Sequence, residues 1–125
     1  MQTVDILAFG AHPDDVELGC SGSISLSISQ GKSVAIIDLT KGELGTRGTA
    51  TSRKEEAQKA AAILKSSSVK IWVLGMVFFK IDEAHQLKLI AKIRAYRPQI
   101  VLCNAKHDRH IDHAKANLLV NDLVF

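Results

Sequence analysis

Val4-Asp5-Ile6-Leu7-Ala8-Phe9-Gly10, running straight into Ala11-His12-Pro13-Asp14-Asp15, is the stretch that decides the architecture. An apolar run ending in small residues reads as a buried strand, and the polar turn stiffened by proline reads as the loop at its carboxyl end. Ser33–Leu39, Val69–Leu74 and Gln99–Cys103 repeat the pattern, rich in Val and Ile. Continuous apolar runs, unlike alternating ones, suit a parallel sheet covered on both faces. Parallel neighbours need crossovers, usually helical, and helix signals fall between the strands. Ser52-x-x-Glu55 reads as a capping box ahead of Ala57, Ala60, Ala61 and Leu64. Asp82–Arg97 puts Leu87, Ile90, Ala91 and Arg94 on one face, and Pro98 ends it. Asp112 to Phe125 reads as a last helix with Leu118, Leu119, Leu123 and Val124 apolar. Ser23–Gln30 alternates like a strand at Ile24, Leu26 and Ile28, yet the crossover demands a helix there, and helix is the reading adopted.

This order of strands and helices predicts one α/β domain over residues 1–125, a Rossmann-like, doubly wound parallel sheet flanked by helices. If the strand order begins 3-2-1-4, the first and fourth strands meet at the switch point, where ligands bind outside the carboxyl ends. Two runs of histidine and aspartate follow these two strands: His12-Pro13-Asp14-Asp15 and His110-Ile111-Asp112-His113. Lys41–Ser52, with Gly42, Gly45 and Gly48, is a loop on the same edge.

Bulk composition narrows the classes. The chain has 125 residues, 46% hydrophobic and 23% charged, which is ordinary for a globular protein. Its net charge of +3 is uneven: residues 1–50 carry three basic and six acidic side chains, residues 51–125 thirteen and seven. Those charges are spread along helical stretches and only 5% of residues are aromatic, so nucleic acid is not expected as a partner. Cys20 and Cys103 make neither a disulfide framework nor a zinc-type pair, which fits a reducing compartment. With no signal peptide or apolar span to read, a cytoplasmic protein without membrane attachment is expected. No Lys-Ser/Thr follows the loop glycines and Gly10 opens no dinucleotide fingerprint, which argues against a nucleotide cofactor.

His12, Asp15 and His113 could form a face of two imidazoles and one carboxylate on a catalytic zinc ion, leaving a position open. The same set also suits Fe(II), though the spare carboxylate of Asp14 favours hydrolysis, in which it would take the proton of the attacking water. His110 could stabilise an oxyanion or protonate a leaving amine, with Asp112 orienting or charging it. Arg53 and Arg109 could bind an anionic part of the substrate. Each motif alone has a plainer reading: His-Pro-Asp-Asp as a capped turn, Asp112 as the N-cap of the last helix, Arg53 as a solvated first-turn residue. The two motifs together, on one sheet edge, favour the metal site.

At these residues the chain resembles the LmbE-like, or PIG-L, family of zinc-dependent N-acetylglucosamine deacetylases. Ala11–Asp15 with Glu17 and Gly19 matches the family's first motif, and Asp108-Arg109-His110-Ile111-Asp112-His113-Ala114 matches its second. Asp38-Leu39-Thr40, Gly42-Glu43 and Arg53-Lys54-Glu55-Glu56-Ala57 match as well. The stretch Gly42–Thr49 is most similar to the subgroup that deacetylates N-acetylglucosaminyl malate in bacillithiol biosynthesis. The resemblance implies His12, Asp15 and His113 as Zn2+ ligands, Asp14 as general base and His110 as the electrophilic or acid partner. It also implies Arg53 and Arg109 as contacts to a small amino-sugar substrate, at a malate carboxylate in the case of that subgroup. Leu74–Phe79 stands where the family has a Pro-Asp-Gly type turn. Members of the family are longer, so the resemblance further implies a missing C-terminal half. An uncovered sheet edge and an apolar last helix then favour a homo-oligomer. The rival expectation is a catalytically weak or inactive metal-binding relative that serves as a partner module.

Overall fold

The computed structural model describes residues 3–64, 68–69 and 80–124. Within them the elements run β1 (Ile6–Gly10), α1 (Asp15–Ser29), β2 (Val34–Asp38), α2 (Ala50–Leu64), β3 (Ser68–Val69), α3 (Glu83–Tyr96), β4 (Ile100–Leu102) and α4 (Ile111–Asn121). All strand pairs are parallel and the order is β3-β2-β1-β4, the doubly wound arrangement the apolar runs predict. Most of the predicted strand Val69–Leu74, and the whole of Leu74–Phe79, lies outside the described residues.

The period of two along β1 and β2 divides the core. Leu7 and Phe9, with Ala35 and Ile37, face one side and pack with Leu89 and Tyr96 of α3 and Ala116, Leu119 and Val120 of α4. Ile6 and Ala8, with Val34 and Ile36, face the other and pack with Val16 and Ile24 of α1 and Leu64 of α2. Both faces of the two central strands are thus sealed, which is why their sequences are apolar without alternation. The register brings Gly10 beside Asp38 and Ala8 beside Leu102, so the loops after β1, β2 and β4 open on one edge.

Several helix expectations need correction. The first helix begins at Asp15, not Ser23, and runs through Gly19 and Gly22 with a kink at Cys20 (φ −146°, ψ 19°), a glycine-rich site of the kind where helices bend. Residues 50–64 form α2, and its capping pair is Thr49 with Ser52, not Ser52 with Glu55. The Ser52 N–H donates to Thr49 Oγ1 (3.1 Å) and the Thr49 N–H donates back to Ser52 Oγ (2.8 Å). The buried face of α2 is the expected one, at Ala57 and Ala61. In α3 the core stripe is Leu89, Ile93 and Tyr96, whereas Leu87 is 56% exposed. Asp82 caps α3 by accepting from the His85 N–H (2.9 Å), and Arg97 ends it in the left-handed region at φ 46°. The last helix stops at Asn121, and its N-cap is His110, not Asp112. Among the described residues no helix is long and apolar enough to cross a membrane.

Candidate metal centre

The turn after β1 is wound tightly by its own polar groups. The Asp14 and Asp15 N–H groups both donate to the His12 carbonyl (2.9 and 3.3 Å), and the His12 N–H donates to Asp15 Oδ2 (2.9 Å). Asp15 and Glu17 lie in the first turn of α1, where the helix dipole favours negative charge. Asn104, just beyond β4, staples the neighbouring loops: its Oδ1 accepts from the Ala11 N–H (2.9 Å) and its Nδ2 donates to Asp15 Oδ2 (3.0 Å). Thr40, after β2, donates its buried hydroxyl to the Ala11 carbonyl (2.8 Å). Three strand ends are thereby tied together.

On this frame the two sequence motifs converge. One nitrogen from each of His12, His110 and His113 lies within 4.8 Å of the others, a group able to hold a metal ion. The ring centroids are 4.7 Å apart for His12 and His110, 4.8 Å for His110 and His113, and 5.5 Å for His12 and His113. Asp15 stands between two of the rings, with Oδ1 3.3 Å from His113 Nε2 and Oδ2 3.6 Å from His12 Nδ1. Burial pushes the Asp15 carboxyl up, but hydrogen bonds from His12 and Asn104 and the nearby His113 outweigh it and hold the group at about 2. It is therefore an anion at any working pH. The His12 ring is shifted upward, chiefly by Asp15 and then Asp112, against the opposing effect of burial.

Each imidazole has a second partner. His113 Nδ1 lies 2.8 Å from Asp108 Oδ2, which leaves Nε2 facing Asp15. The same Asp108 accepts the His110 N–H through Oδ1 (3.1 Å), and its pKa is lowered, above all by His113. His110 Nδ1 accepts the Asp112 N–H (3.2 Å) as the helix cap, so the neutral ring carries its proton on Nε2. Asp112, expected to orient His110, lies closer to His12: Oδ2 is 3.0 Å from His12 Nε2 and 3.9 Å from His110 Nδ1.

A cavity of about 540 Å³ opens over this cluster, walled by His12, Asp14, Asp15, His110, Asp112 and His113 on one side and by Thr40, Gly42–Gly45 and Arg53 on the other. Arg53 reaches Asp14, with Nη2 donating to Oδ2 at 3.0 Å. Arg109 is exposed and is not among the residues walling the cavity. Cys103 is exposed and Cys20 half-buried, and both are free thiols.

Sequence reading missed three groups. Asn104 carries no motif signature beyond its position after a switch-point strand, and Asp108, although it opens the second motif, is given no role by the sequence. Asp38, at the end of β2, is fully buried, and neither carboxyl oxygen finds a hydrogen-bond partner among the described residues. Burial, and then the charges of Glu17, Asp15 and Asp14, push its pKa up to about 8.

Residues 7–124 match the family model for PIG-L, described as GlcNAc-PI de-N-acetylase. Over 59 residues the chain is 46% identical to an uncharacterized deacetylase, YaiS, of Escherichia coli K12, covering 47% of this chain and 31% of that protein. It is 28% identical over 124 residues to the diacetylchitobiose deacetylase of Thermococcus kodakarensis, covering 91% of this chain and 46% of that one. The crystal structure of the conserved protein TT1542 from Thermus thermophilus superposes with a TM-score of 0.86 at 36% identity, covering 98% of this chain and 56% of that chain. The chain thus spans about half the length, or less, of these relatives.

Proposed function

Because the chain belongs to the PIG-L (GlcNAc-PI de-N-acetylase) family, we propose that it is a zinc-dependent hydrolase removing the acetyl group from an N-acetylglucosamine conjugate. The observation that carries this reading is the convergence of three histidine nitrogens within 4.8 Å, beside two adjacent carboxylates, at the floor of one cavity. The donor set fits a divalent ion. His113 offers Nε2 because Asp108 engages Nδ1, and a carboxylate behind a ligating imidazole is a common support of zinc sites. His12, Asp15 and His113 are the proposed ligands. His110 is left off the metal, since a ring whose Nδ1 accepts the Asp112 N–H presents Nε2 as a donor.

A zinc ion held there would polarise the acetamide carbonyl and acidify water. Asp14 would take the proton of the attacking water and pass it to the departing amine, while His110 Nε2–H would stabilise the developing oxyanion. Asp112 holds His12 through Nε2 before metal enters. Two related supports favour a particular substrate and setting. The resemblance of Gly42–Thr49 points to the malate conjugate of bacillithiol biosynthesis, and Ile100 of β4, the outermost strand among the described residues, is exposed, which suits a homo-oligomer. We place the protein in the cytoplasm on the same reading.

The test is an acetate-release assay on N-acetylglucosamine conjugates, alongside metal analysis. Chelation should abolish release and zinc should restore it. A chain that binds zinc stoichiometrically and releases no acetate from any conjugate would instead be the metal-binding module that is the rival reading. Replacing Asp108 by Ala should weaken zinc binding by about 10–100-fold with the fold intact, because His113 loses the partner that sets its tautomer. Competition against a chromophoric chelator measures this, and unchanged affinity would remove Asp108 from the site.

A further inference from the structure

The metal cavity has a polar floor and an apolar mouth. Of the large apolar side chains left exposed among the described residues, two wall this cavity: Leu44, 63% exposed, and Ile111, 68% exposed. Leu44 comes from the loop after β2 and Ile111 from the start of α4, on the two sides of the cavity. Neither belongs to the buried clusters that hold the sheet, so core packing does not account for them. Local structure does not account for them either. The Gly45 N–H donates to the Gly42 carbonyl (3.1 Å), closing a turn with Glu43 and Leu44 at its centre. Such central positions favour Gly, Asn, Asp or Ser. The same carbonyl accepts from Arg53 Nη1 (3.1 Å), which pins the turn and holds Leu44 at the mouth. Ile111 is the first residue of α4 after the His110 cap, where an apolar β-branched side chain serves neither the cap nor the helix dipole. Single exposed apolar residues need no explanation, but two at the mouth of one polar cavity mark a surface for a ligand.

We propose that Leu44 and Ile111 are specificity-determining residues that take the apolar C–H faces of the substrate's pyranose ring between them. This assignment rests on the hydrolase reading and deepens it. His110 is the group given to the developing oxyanion, and Ile111 is its neighbour in the chain. The sugar ring is one bond from the acetamide nitrogen, so an acetamide on the floor puts the ring in the mouth. A pyranose carries hydroxyls round its rim and C–H groups on its two faces. An apolar pair on the two sides of the cavity therefore matches the faces and leaves the hydroxyls to polar groups. A linear N-acetyl compound presents no such faces.

Kinetics on the zinc-loaded chain, with methyl N-acetylglucosaminide as the probe, test this. Leu44→Ser and Ile111→Ser should each raise KM by about 5–20-fold and leave kcat within about threefold, the pattern of contacts made equally in ground and transition states. Leu44→Met and Ile111→Val keep an apolar surface and should stay within about threefold of the unaltered KM. Inhibition by the product acetate, which meets only the floor, should be the same in every variant. A KM unmoved by both Ser variants, kcat losses at constant KM, or acetate inhibition that weakens in step with KM would each overturn the proposal. A second readout needs no turnover: saturation of the protein's methyl protons should transfer to the ring C–H protons of the same glycoside, and less so in both Ser variants. Transfer that is absent, or equal in all variants, would also overturn it. If the unaltered chain shows the transfer but releases no acetate, the hydrolase reading fails by itself and the sugar contact stands.

Discussion

Asp14→Asn is expected to lower acetate release by about 10²–10⁴-fold, the usual worth of a positioned general base, while the protein still takes up about one zinc ion per chain. The amide is nearly isosteric, and its carbonyl oxygen can still accept from Arg53 Nη2, as Oδ2 does now at 3.0 Å. The turn geometry should also survive, because it depends on backbone N–H groups and on Asp15, not on the Asp14 side chain. What the substitution removes is a group able to hold a proton. Zinc content measured on the same sample separates loss of chemistry from loss of metal. If release persists near the original rate, the base lies elsewhere, and Asp112 and Glu43 are the other carboxylates on the cavity wall besides the proposed ligand Asp15.

The architecture was legible because it rests on a feature that sequence expresses directly. Strands buried on both faces must be continuously apolar, and β1 and β2 are buried at every position. Their parallel pairing then restricts the crossovers to helices. Helix rotation was less legible. In α3 the stripe Leu87, Ile90, Ala91, Arg94 and the stripe Leu89, Ile93, Tyr96 both have helical spacing, and only packing on β1 selects the second. The N-cap of α4 shows the same limit. His110 and Asp112 can both accept a backbone N–H, and which does so depends on whether the other is drawn elsewhere. Asp112 is drawn to His12.

The six motif residues His12, Asp14, Asp15, His110, Asp112 and His113 all reach one cavity because they follow two strands that the topology makes neighbours. The residues that support them were not legible in the same way. Asp108 matters through the one nitrogen of His113 that it engages, and Asn104 through two bonds that span the gap between loops. Both are consequences of angles and distances. Asp38 reads in the sequence as a polar residue that ends a strand, and nothing local says that the fold closes over it.

That closure makes Asp38→Asn the most informative stability experiment. With its carboxyl pushed up to about 8 from 3.8, folded Asp38 keeps a proton that the unfolded chain has already lost. Between those two values unfolding releases a proton, so stability falls as pH rises, by at most about 1.4 kcal/mol per pH unit from this group. Below the unfolded value both states are protonated and the penalty vanishes. Asn cannot ionise and so removes the slope, although it leaves a buried amide in the same space as the neutral acid. Going from about pH 5 to about pH 7, the metal-free Asn variant should gain about 1–3 kcal/mol on the unaltered protein. Glu17 and His12, whose pKa values are also raised, tilt both proteins in the same direction and cancel in the difference. Chemical denaturation of the metal-free pair at the two pH values measures it. Parallel profiles would mean that Asp38 is ionised in the fold, with its charge balanced by a partner beyond the described residues.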